Sequence, residues 1–233
     1  ALWTERNDGE KITYKRLEDE KQEAWWIGSE IERLREAEGY SYKDFAILYR
    51  KNAQSRSFEE KFSFRGIPYR VLAGLRYYDR KEIKDVMAYL RLIGNPGDNV
   101  SMLRVINEPK RGGGGKTLSG IEEYARAYGL TIYEALCEEE LMAGLGNKAR
   151  TALEAFVSMI GEIRSEQDNL TITDIYDNIL MRSGYLKALE DQNTVEAESR
   201  IENIMEFKSV PASEKKSSCK SHFLRRILPG RSE

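Results

Sequence analysis

The chain has 233 residues, of which 40% are hydrophobic and 33% are charged, and its formal net charge at pH 7 is −2. This length allows one large domain or two small ones with a buried core. The charge argues against a general polyanion binder, and no apolar run approaches the roughly 18 residues of a membrane-spanning helix. The first residues lack the pattern of a signal peptide, so we expect a cytoplasmic protein.

Cysteine and histidine are too few for most metal and nucleophile chemistry. Cys137 and Cys219 lie far apart in the sequence, which is typical of free thiols in a reducing compartment. His222 is the only histidine, so the sequence argues against a Ser-His-Asp triad and against a zinc site of His and Cys. We therefore predict no catalytic residue and no metal ligand in this chain.

The first 78 residues alternate between strand-like and helix-like patterns. Short apolar runs predict three strands, and apolar residues at helical spacing predict two helices between them. The strands would cover residues 12–17, 45–49 and 69–72, and the helices residues 19–37 and 57–64. This order predicts a parallel sheet, so we expect an α/β fold for residues 1–78.

Polar residues follow the second and third predicted strands. Arg50 and Asn52 follow the second strand, and Gly74 and Arg76 follow the third. Because ligands collect at the carboxyl ends of parallel strands, these side chains would share one rim of the sheet. The alternative is that Arg50 and Arg76 are solvated loop charges.

The pattern from residue 79 to about residue 210 is helical throughout, so an all-α part should follow the α/β part. From residue 211 the composition changes, with six Lys or Arg against two Glu and little periodicity. Such a composition is typical of a disordered basic tail. The sequence thus predicts three segments, 1–78, 79–210 and 211–233.

The most informative stretch covers residues 106–118, INEPKRGGGGKTL. Two cations precede four glycines, and a third cation and a threonine open a predicted helix: Lys110, Arg111, Gly112, Gly113, Gly114, Gly115, Lys116 and Thr117. Glycines let the backbone approach a ligand, and the first helical turn has free N–H groups with partial positive charge. We predict that this loop contacts the phosphates of a nucleic acid. The alternative is a flexible loop with solvated charges.

Charge and spacing refine this prediction. Residues 76–116 contain nine Lys or Arg and five Asp or Glu, which predicts one basic face turned to phosphates. A nucleotide P-loop requires Gly-x-x-x-x-Gly-Lys-Ser/Thr. Counting back from Gly115, the first glycine of that motif would stand at Lys110, so the spacing argues against an ATP site.

A second glycine loop has the same design. Gly144, Gly146 and Lys148 form a Gly-x-Gly-x-Lys pattern that opens another predicted helix. Two such loops are typical of a helix–hairpin–helix device that contacts phosphates without reading bases. The alternative is an ordinary helix–helix turn.

Four stretches carry a family resemblance: DFAILYRKNAQSR, GIPYRVLAGLRYYDRKEIKDVMAYLRLIGNP, LRVINEPKRGGGGKT and ESRIENIMEF. They resemble the PcrA/UvrD/Rep family of superfamily 1 DNA helicases, and the resemblance runs from about residue 2 to residue 210. It implies the start of the second RecA-like subdomain (2A) followed by most of its inserted accessory subdomain (2B). After residue 210 the sequence departs from the family.

The resemblance also implies where chemistry and DNA contacts lie. The family's P-loop and DExx box would precede this stretch, so ATP and Mg²⁺ would serve the parent helicase, and this chain would bind no cofactor and be inactive alone. The family's Gly-Ile-Gly element touches duplex DNA and corresponds to residues 112–114. Gly113 replaces its isoleucine, so the loop should be more flexible and lack an apolar anchor. Single-strand contacts would fall on Arg50, Asn52 and Arg76.

We therefore expect a DNA-binding piece of an ATP-dependent 3′–5′ DNA helicase that holds a duplex and single-strand junction and regulates the motor. Its partners would be DNA, the remaining helicase subdomains and regulatory proteins, and we expect no association with a membrane. The alternative is a stand-alone helical module that binds a protein and has no DNA function. The acidic segments Glu138–Glu140 and Glu196–Glu206 favour that alternative.

Overall fold

Five of the described helices begin at a side chain that caps the first turn, and the others begin without one. The computed structural model describes residues 11–72 and 75–208. The chain divides into two compact units, residues 1–74 and residues 75–233. Asp19, for example, accepts a hydrogen bond from the backbone N–H of Gln22 at 2.7 Å and starts the first helix.

The described part of the first unit contains helices α1 (Glu20–Glu38) and α2 (Ser55–Arg65). In the described part of the second unit, nine helices follow: α3 (Lys81–Gly94), α4 (Asn99–Val105), α5 (Gly115–Tyr128), α6 (Ile132–Cys137), α7 (Glu139–Ala143), α8 (Asn147–Glu166), α9 (Ile172–Arg182), α10 (Tyr185–Glu190) and α11 (Val195–Phe207). Short 3₁₀ turns precede α2 and α3.

The first unit has a small core between its two helices. Helices α1 and α2 pack on each other, and the buried cluster consists of Ala24, Ile31, Phe58, Phe62 and Ile67. Five further apolar residues are partly buried against this cluster, namely Ile27, Tyr42, Phe45, Ile47 and Tyr69, whereas others, such as Ile12 and Leu48, are exposed. Burial of apolar area is the main favourable term in folding, so this unit gains less from it than the second unit does.

The prediction of an α/β fold is wrong for the described residues, which contain no strand. Residues 12–17, 45–49 and 69–72 were expected to pair in a sheet. Phe45 does have extended backbone, with φ −104° and ψ 140°, but the side chain of Leu48 is 95% exposed and that of Ile12 is 99% exposed. An extended segment becomes a strand only when a neighbour pairs with its N–H and C=O groups. The turn, loop and cap hydrogen bonds among the described residues provide no such ladder.

The second unit is organised around helix α3. This helix packs against α4, α8, α9 and α11, because its apolar residues recur at helical spacing on more than one side. Val86, Leu90 and Ile93 are fully buried, and each contributes about 1.5–3 kcal/mol through burial. As the sequence pattern predicted, the described residues from 79 onward are mainly helical.

A buried polar cluster ties the beginning of this unit to its last described helix. The Tyr77 hydroxyl donates to the carbonyl oxygen of Asn203 at 2.6 Å, and Arg80 Nη1 donates to Asn203 Oδ1 at 2.7 Å. The Asn203 amide nitrogen donates in turn to Glu82 Oε1 at 2.6 Å. Buried polar groups need such partners, so this cluster fixes α11 against the start of α3.

The sequence also predicted where the first unit ends and where a basic tail begins. The compact units divide between residues 74 and 75, four residues before the boundary expected from the sequence. The predicted basic tail, residues 211–233, lies outside the described residues. Among the described helices, none is both long enough and apolar enough for a membrane crossing.

Candidate nucleic-acid interface

The first glycine loop joins the end of α4 to the start of α5. Gly114 is the N-cap of α5, so Gly115, Lys116 and Thr117 form its first turn. Gly114 has no side chain to accept a hydrogen bond from this turn, whereas Asp98 accepts one from Ser101 at the start of α4. The first-turn amides of α5 are therefore left without a capping side chain and with the partial positive charge of a helix N-terminus.

The second glycine loop repeats this arrangement at α8. Gly146 is the N-cap, again without a side-chain cap, and Lys148 lies in the first turn. Helix α8 spans Asn147–Glu166, twenty residues, and is long enough for its aligned peptide dipoles to favour an anion at this end. Both loops thus present an uncapped helix N-terminus with a lysine at the second helical position.

The fold brings the two loops into contact. Gly112 adopts a positive φ of 80°, which favours glycine because a side chain strains the backbone there. A methyl group on Gly112 would lie 3.6 Å from Lys148 Cγ and 3.9 Å from the Cα of Ala149. Gly112 of the first loop therefore lies next to the first turn of α8.

Three lysines lie in or next to the two loops in the sequence. Lys110, Lys116 and Lys148 are all exposed, and none forms an ion pair with another part of the described chain. Uncompensated ammonium groups beside two helix N-termini raise the local positive potential. We name the surface formed by Gly112–Thr117, Gly146, Lys148 and Lys110 the glycine-loop surface.

Arg111, which the sequence placed among the phosphate ligands, is used inside the protein instead. Its Nη1 donates to the carbonyl oxygens of Val105 and Ile106 at 2.7 and 3.2 Å. Its Nη2 donates to the Tyr89 hydroxyl at 2.7 Å and to the carbonyl oxygen of Ser183 at 3.2 Å. Four donors of the guanidinium are thus engaged, which argues against a phosphate contact by this residue.

The remaining predicted loop residues differ in exposure. Gly112, Gly114, Gly144 and Gly146 are exposed, Thr117 is half-buried, and Gly113 is buried. A methyl group on Gly113 would lie 3.8 Å from Leu118 Cδ2 and 3.9 Å from Asn107 Oδ1, which is ordinary contact distance. A side chain at this position would therefore pack against the start of α5.

Sequence reasoning missed the polar residues beneath the loop. Asp85 on α3 is almost fully buried and accepts hydrogen bonds from Tyr185 at 2.7 Å, Arg104 at 2.8 Å and Lys81 at 3.1 Å. Lys81 also pairs with Glu108, at 2.8 Å, directly before the loop. No sequence signal marks this set, because each member lies in a helix or turn that reads as ordinary amphipathic structure.

These contacts shift the ionisation of the residues involved. Burial raises the pKa of Tyr185, and its hydrogen bond to the Asp85 carboxylate raises it further. Burial alone would lower the pKa of Lys81, but hydrogen bonds to Glu108 and Asp85 outweigh it, so the pKa is raised. Both residues therefore keep their protons at neutral pH, and the contacts under the loop persist.

The predicted single-strand residues fall in different units. Arg50 and Asn52 are exposed in the first unit, where the Arg50 backbone N–H donates to Gln54 Oε1 at 3.1 Å. Arg76 is exposed near the start of the second unit, and Gly74 lies outside the described residues. The sheet rim on which their proximity depended does not form in the described residues, so these contacts stay predictions.

The loop geometry also differs from that of a nucleotide-binding loop. A P-loop joins a strand to a helix, whereas the first glycine loop follows helix α4. The described residues include no group of three or more His, Cys, Asp or Glu side chains suited to a metal ion. The arrangement is suited to contacting phosphate oxygens from one side.

Comparison with known proteins gives consistent matches. A family model described as the UvrD-like helicase C-terminal domain matches residues 1–228. The chain is 42% identical over 209 residues to the ATP-dependent DNA helicase PcrA of Bacillus subtilis (strain 168), covering 90% of the chain and 28% of that protein. It is 43% identical over 211 residues to the ATP-dependent DNA helicase PcrA of Staphylococcus aureus (strain Mu50 / ATCC 700699), covering 91% and 29%.

A third relative has a similar degree of identity. The ATP-dependent DNA helicase PcrA of Leuconostoc citreum is 40% identical over 209 residues, which are 90% of the chain and 28% of that protein. The chain thus spans less than a third of the length of the relatives that it matches.

Proposed function

The chain belongs to the UvrD-like helicase C-terminal domain family, as its resemblance predicted, and we propose that its second unit binds the backbone of duplex DNA through the glycine-loop surface. The contact of Gly112 with the first turn of α8 carries this proposal. It links the loop that precedes the uncapped N-terminus of α5 to the uncapped N-terminus of α8, and two such N-termini with their lysines would suit phosphates of a duplex.

Such a surface would hold DNA without reading its sequence. Helix N-termini and lysine ammonium groups contact phosphate oxygens, which are the same at every base pair. Specificity would therefore be for duplex geometry. The exposed Arg50, Asn52 and Arg76 would contact the single strand at a junction.

The relatives named above are ATP-dependent DNA helicases, and we extend the proposal to a part of such an enzyme. In it, this chain would hold duplex DNA and regulate a motor built with the remaining helicase subdomains. ATP and Mg²⁺ would bind to that motor. The first glycine loop is not its nucleotide site, because the loop lacks both the spacing and the preceding strand of a P-loop.

The direct test is binding of the purified chain to two duplexes of equal length and unrelated sequence. We expect equal affinities, and Lys116→Ala or Lys148→Ala should each weaken binding by roughly eightfold at 0.1 M salt, the loss of about one phosphate contact. Arg126→Ala is the matched control, because Arg126 is an exposed cation at the other end of α5. The Arg126→Ala variant should bind duplex DNA with the affinity of the unaltered chain.

The protein-binding alternative predicts a different outcome. Glu138, Glu139 and Glu140 are exposed at the start of α7, the helix that precedes the second glycine loop, and a basic protein could dock there. If the chain binds neither duplex, or if Lys116→Ala and Arg126→Ala behave alike, the DNA proposal is wrong and the protein-binding alternative gains support.

A further inference from the structure

We infer that Arg111 is a positioning residue that fixes the backbone of the first glycine loop against α8, and that it makes no DNA contact of its own. The effect of Arg111 on DNA binding rests on the proposed function, but its effect on the backbone of the first glycine loop does not. The inference deepens the account of the glycine-loop surface, because it separates the cations that face the ligand from the one that builds the site.

The guanidinium of Arg111 connects segments that are distant in sequence. Its carbonyl acceptors, Val105, Ile106 and Ser183, lie at the end of α4 and just after α9. Its hydroxyl acceptor, Tyr89, lies on α3. A planar group with several fixed donors can satisfy acceptors in different directions, and a lysine ammonium cannot reach the same set.

Two further contacts link Arg111 to both loops. Its backbone N–H donates to Asn107 Oδ1 at 2.7 Å, which shapes the turn just before the glycines. Its guanidinium lies over the ring of Phe156, with 4.6 Å between the guanidinium carbon and the ring centroid. Phe156 is buried on α8, the helix whose N-terminus bears Lys148. Arg111 therefore holds the first loop and the helix of the second loop together.

Tyr89 completes the arrangement. Its hydroxyl accepts the hydrogen bond from Arg111 and donates to the carbonyl oxygen of Glu108 at 2.5 Å. Burial raises the pKa of Tyr89, so the hydroxyl keeps the proton that it donates. Tyr89 is fully buried and out of reach of DNA. It shares Arg111's role without sharing its charge, and this makes it the informative partner in a test.

The first measurement uses the DNA-free protein. Amide hydrogen exchange should be read at Glu108, at position 111 and at Leu118, whose N–H groups are bonded to Val105, Asn107 and Gly114. In Arg111→Lys and in Tyr89→Phe, exchange at these amides should rise about tenfold, the loss of roughly one hydrogen bond. Amides of α11 should exchange as before, which a general loss of stability would not allow.

The second measurement is duplex binding against salt. Arg111→Lys keeps the charge, so we expect weaker affinity with an unchanged slope of log affinity against log salt. Lys110→Ala, one residue away, should make this slope less steep by about 0.9 and leave amide hydrogen exchange in the loop unaltered. The Arg111→Lys and Tyr89→Phe effects should be less than additive in the double variant, because both remove the same support.

Each outcome bears on the inference separately from the proposed function. If amide exchange in the loop is the same in Arg111→Lys and Tyr89→Phe as in the unaltered chain, Arg111 is not a positioning residue. The same conclusion follows if Arg111→Ala makes the slope of log affinity against log salt less steep by as much as Lys110→Ala does. If no chain binds duplex DNA, the proposed function fails, while the exchange data still decide the role of Arg111. If Arg111→Lys does not fold, Tyr89→Phe, which removes a single oxygen atom, provides the same test.

Discussion

Gly112 lies against Lys148, with 3.6 Å between the position of a methyl group on Gly112 and Lys148 Cγ. The two residues belong to loops that are far apart in the sequence, and each loop opens a helix with an uncapped N-terminus. Under the proposed function, this contact links two weak anion-binding features. Anything that alters the Gly112 backbone should therefore disturb both loops.

Two adjacent glycines should respond to the same substitution in opposite directions. Gly112→Ala places a side chain at φ 80° and should lower the free energy of unfolding by about 1–2 kcal/mol. Gly113→Ala has ordinary contact distances to Leu118 and Asn107 and should raise it by about 0.4–1 kcal/mol, because the unfolded chain loses freedom. Urea unfolding of both variants would measure this, and equal effects would contradict the loop geometry.

The buried carboxylate beneath the loop should matter more than a surface one. The Asp85 side chain is 1% exposed and pairs with Lys81 and Arg104, so Asp85→Ala should cost about 2–4 kcal/mol of unfolding free energy. Asp177→Ala is the matched control, because Asp177 pairs with Lys208 at 41% exposure and its loss should cost about 0–1 kcal/mol. A smaller loss of unfolding free energy in Asp85→Ala than in Asp177→Ala would contradict the stabilising role of the buried Asp85 contacts.

The second unit should lose stability in alkali. The pKa values of Tyr89, Tyr176 and Tyr185 are raised by burial from the ordinary 10.0, and that of Lys81 is raised from 10.5. The folded chain thus keeps protons that the unfolded chain releases, so this stability is complete below about pH 10 and declines above it. Unfolding by urea between pH 8 and pH 11 measures the decline, which Tyr185→Phe should make shallower. An equal decline in that variant would contradict the role of Tyr185.

The purified chain should not hydrolyse ATP, with or without DNA. Its one Gly-Lys-Thr sequence follows a helix and lacks the first glycine of a P-loop. Release of phosphate from ATP, assayed with added duplex, checks this, and Lys116→Ala serves as the control. DNA-stimulated hydrolysis that disappears in this variant would overturn the exclusion of a nucleotide site.

Local sequence signals predicted the helical character of the second unit and the two glycine loops that open helices, although not the short helices α7 and α10, because each such signal depends on spacing and on glycine within a few residues. They could not predict how Arg111 is used. The sequence around an arginine beside four glycines is the same whether its side chain faces solvent or the ring of Phe156. The packing of α3, α8 and α9 decides which of the two it does.

The strands were mispredicted for a related reason. The run from Phe45 to Tyr49 is apolar enough for a buried strand, and Phe45 is indeed extended. A sheet, however, depends on backbone partners elsewhere in a protein, and apolar periodicity carries no information on whether those partners are present. Helices satisfy their own backbone groups, which is why their prediction from one short segment succeeded.

The salt dependence of duplex binding tests the central claim most directly. The slope of log affinity against log salt should be less steep by about 1.8 in the Lys116→Ala/Lys148→Ala double variant than in the unaltered chain, the loss of about two phosphate contacts. The Arg126→Ala control should keep the original slope. An unaltered slope in the double variant would contradict the account, because the paired loops would then not face the phosphates.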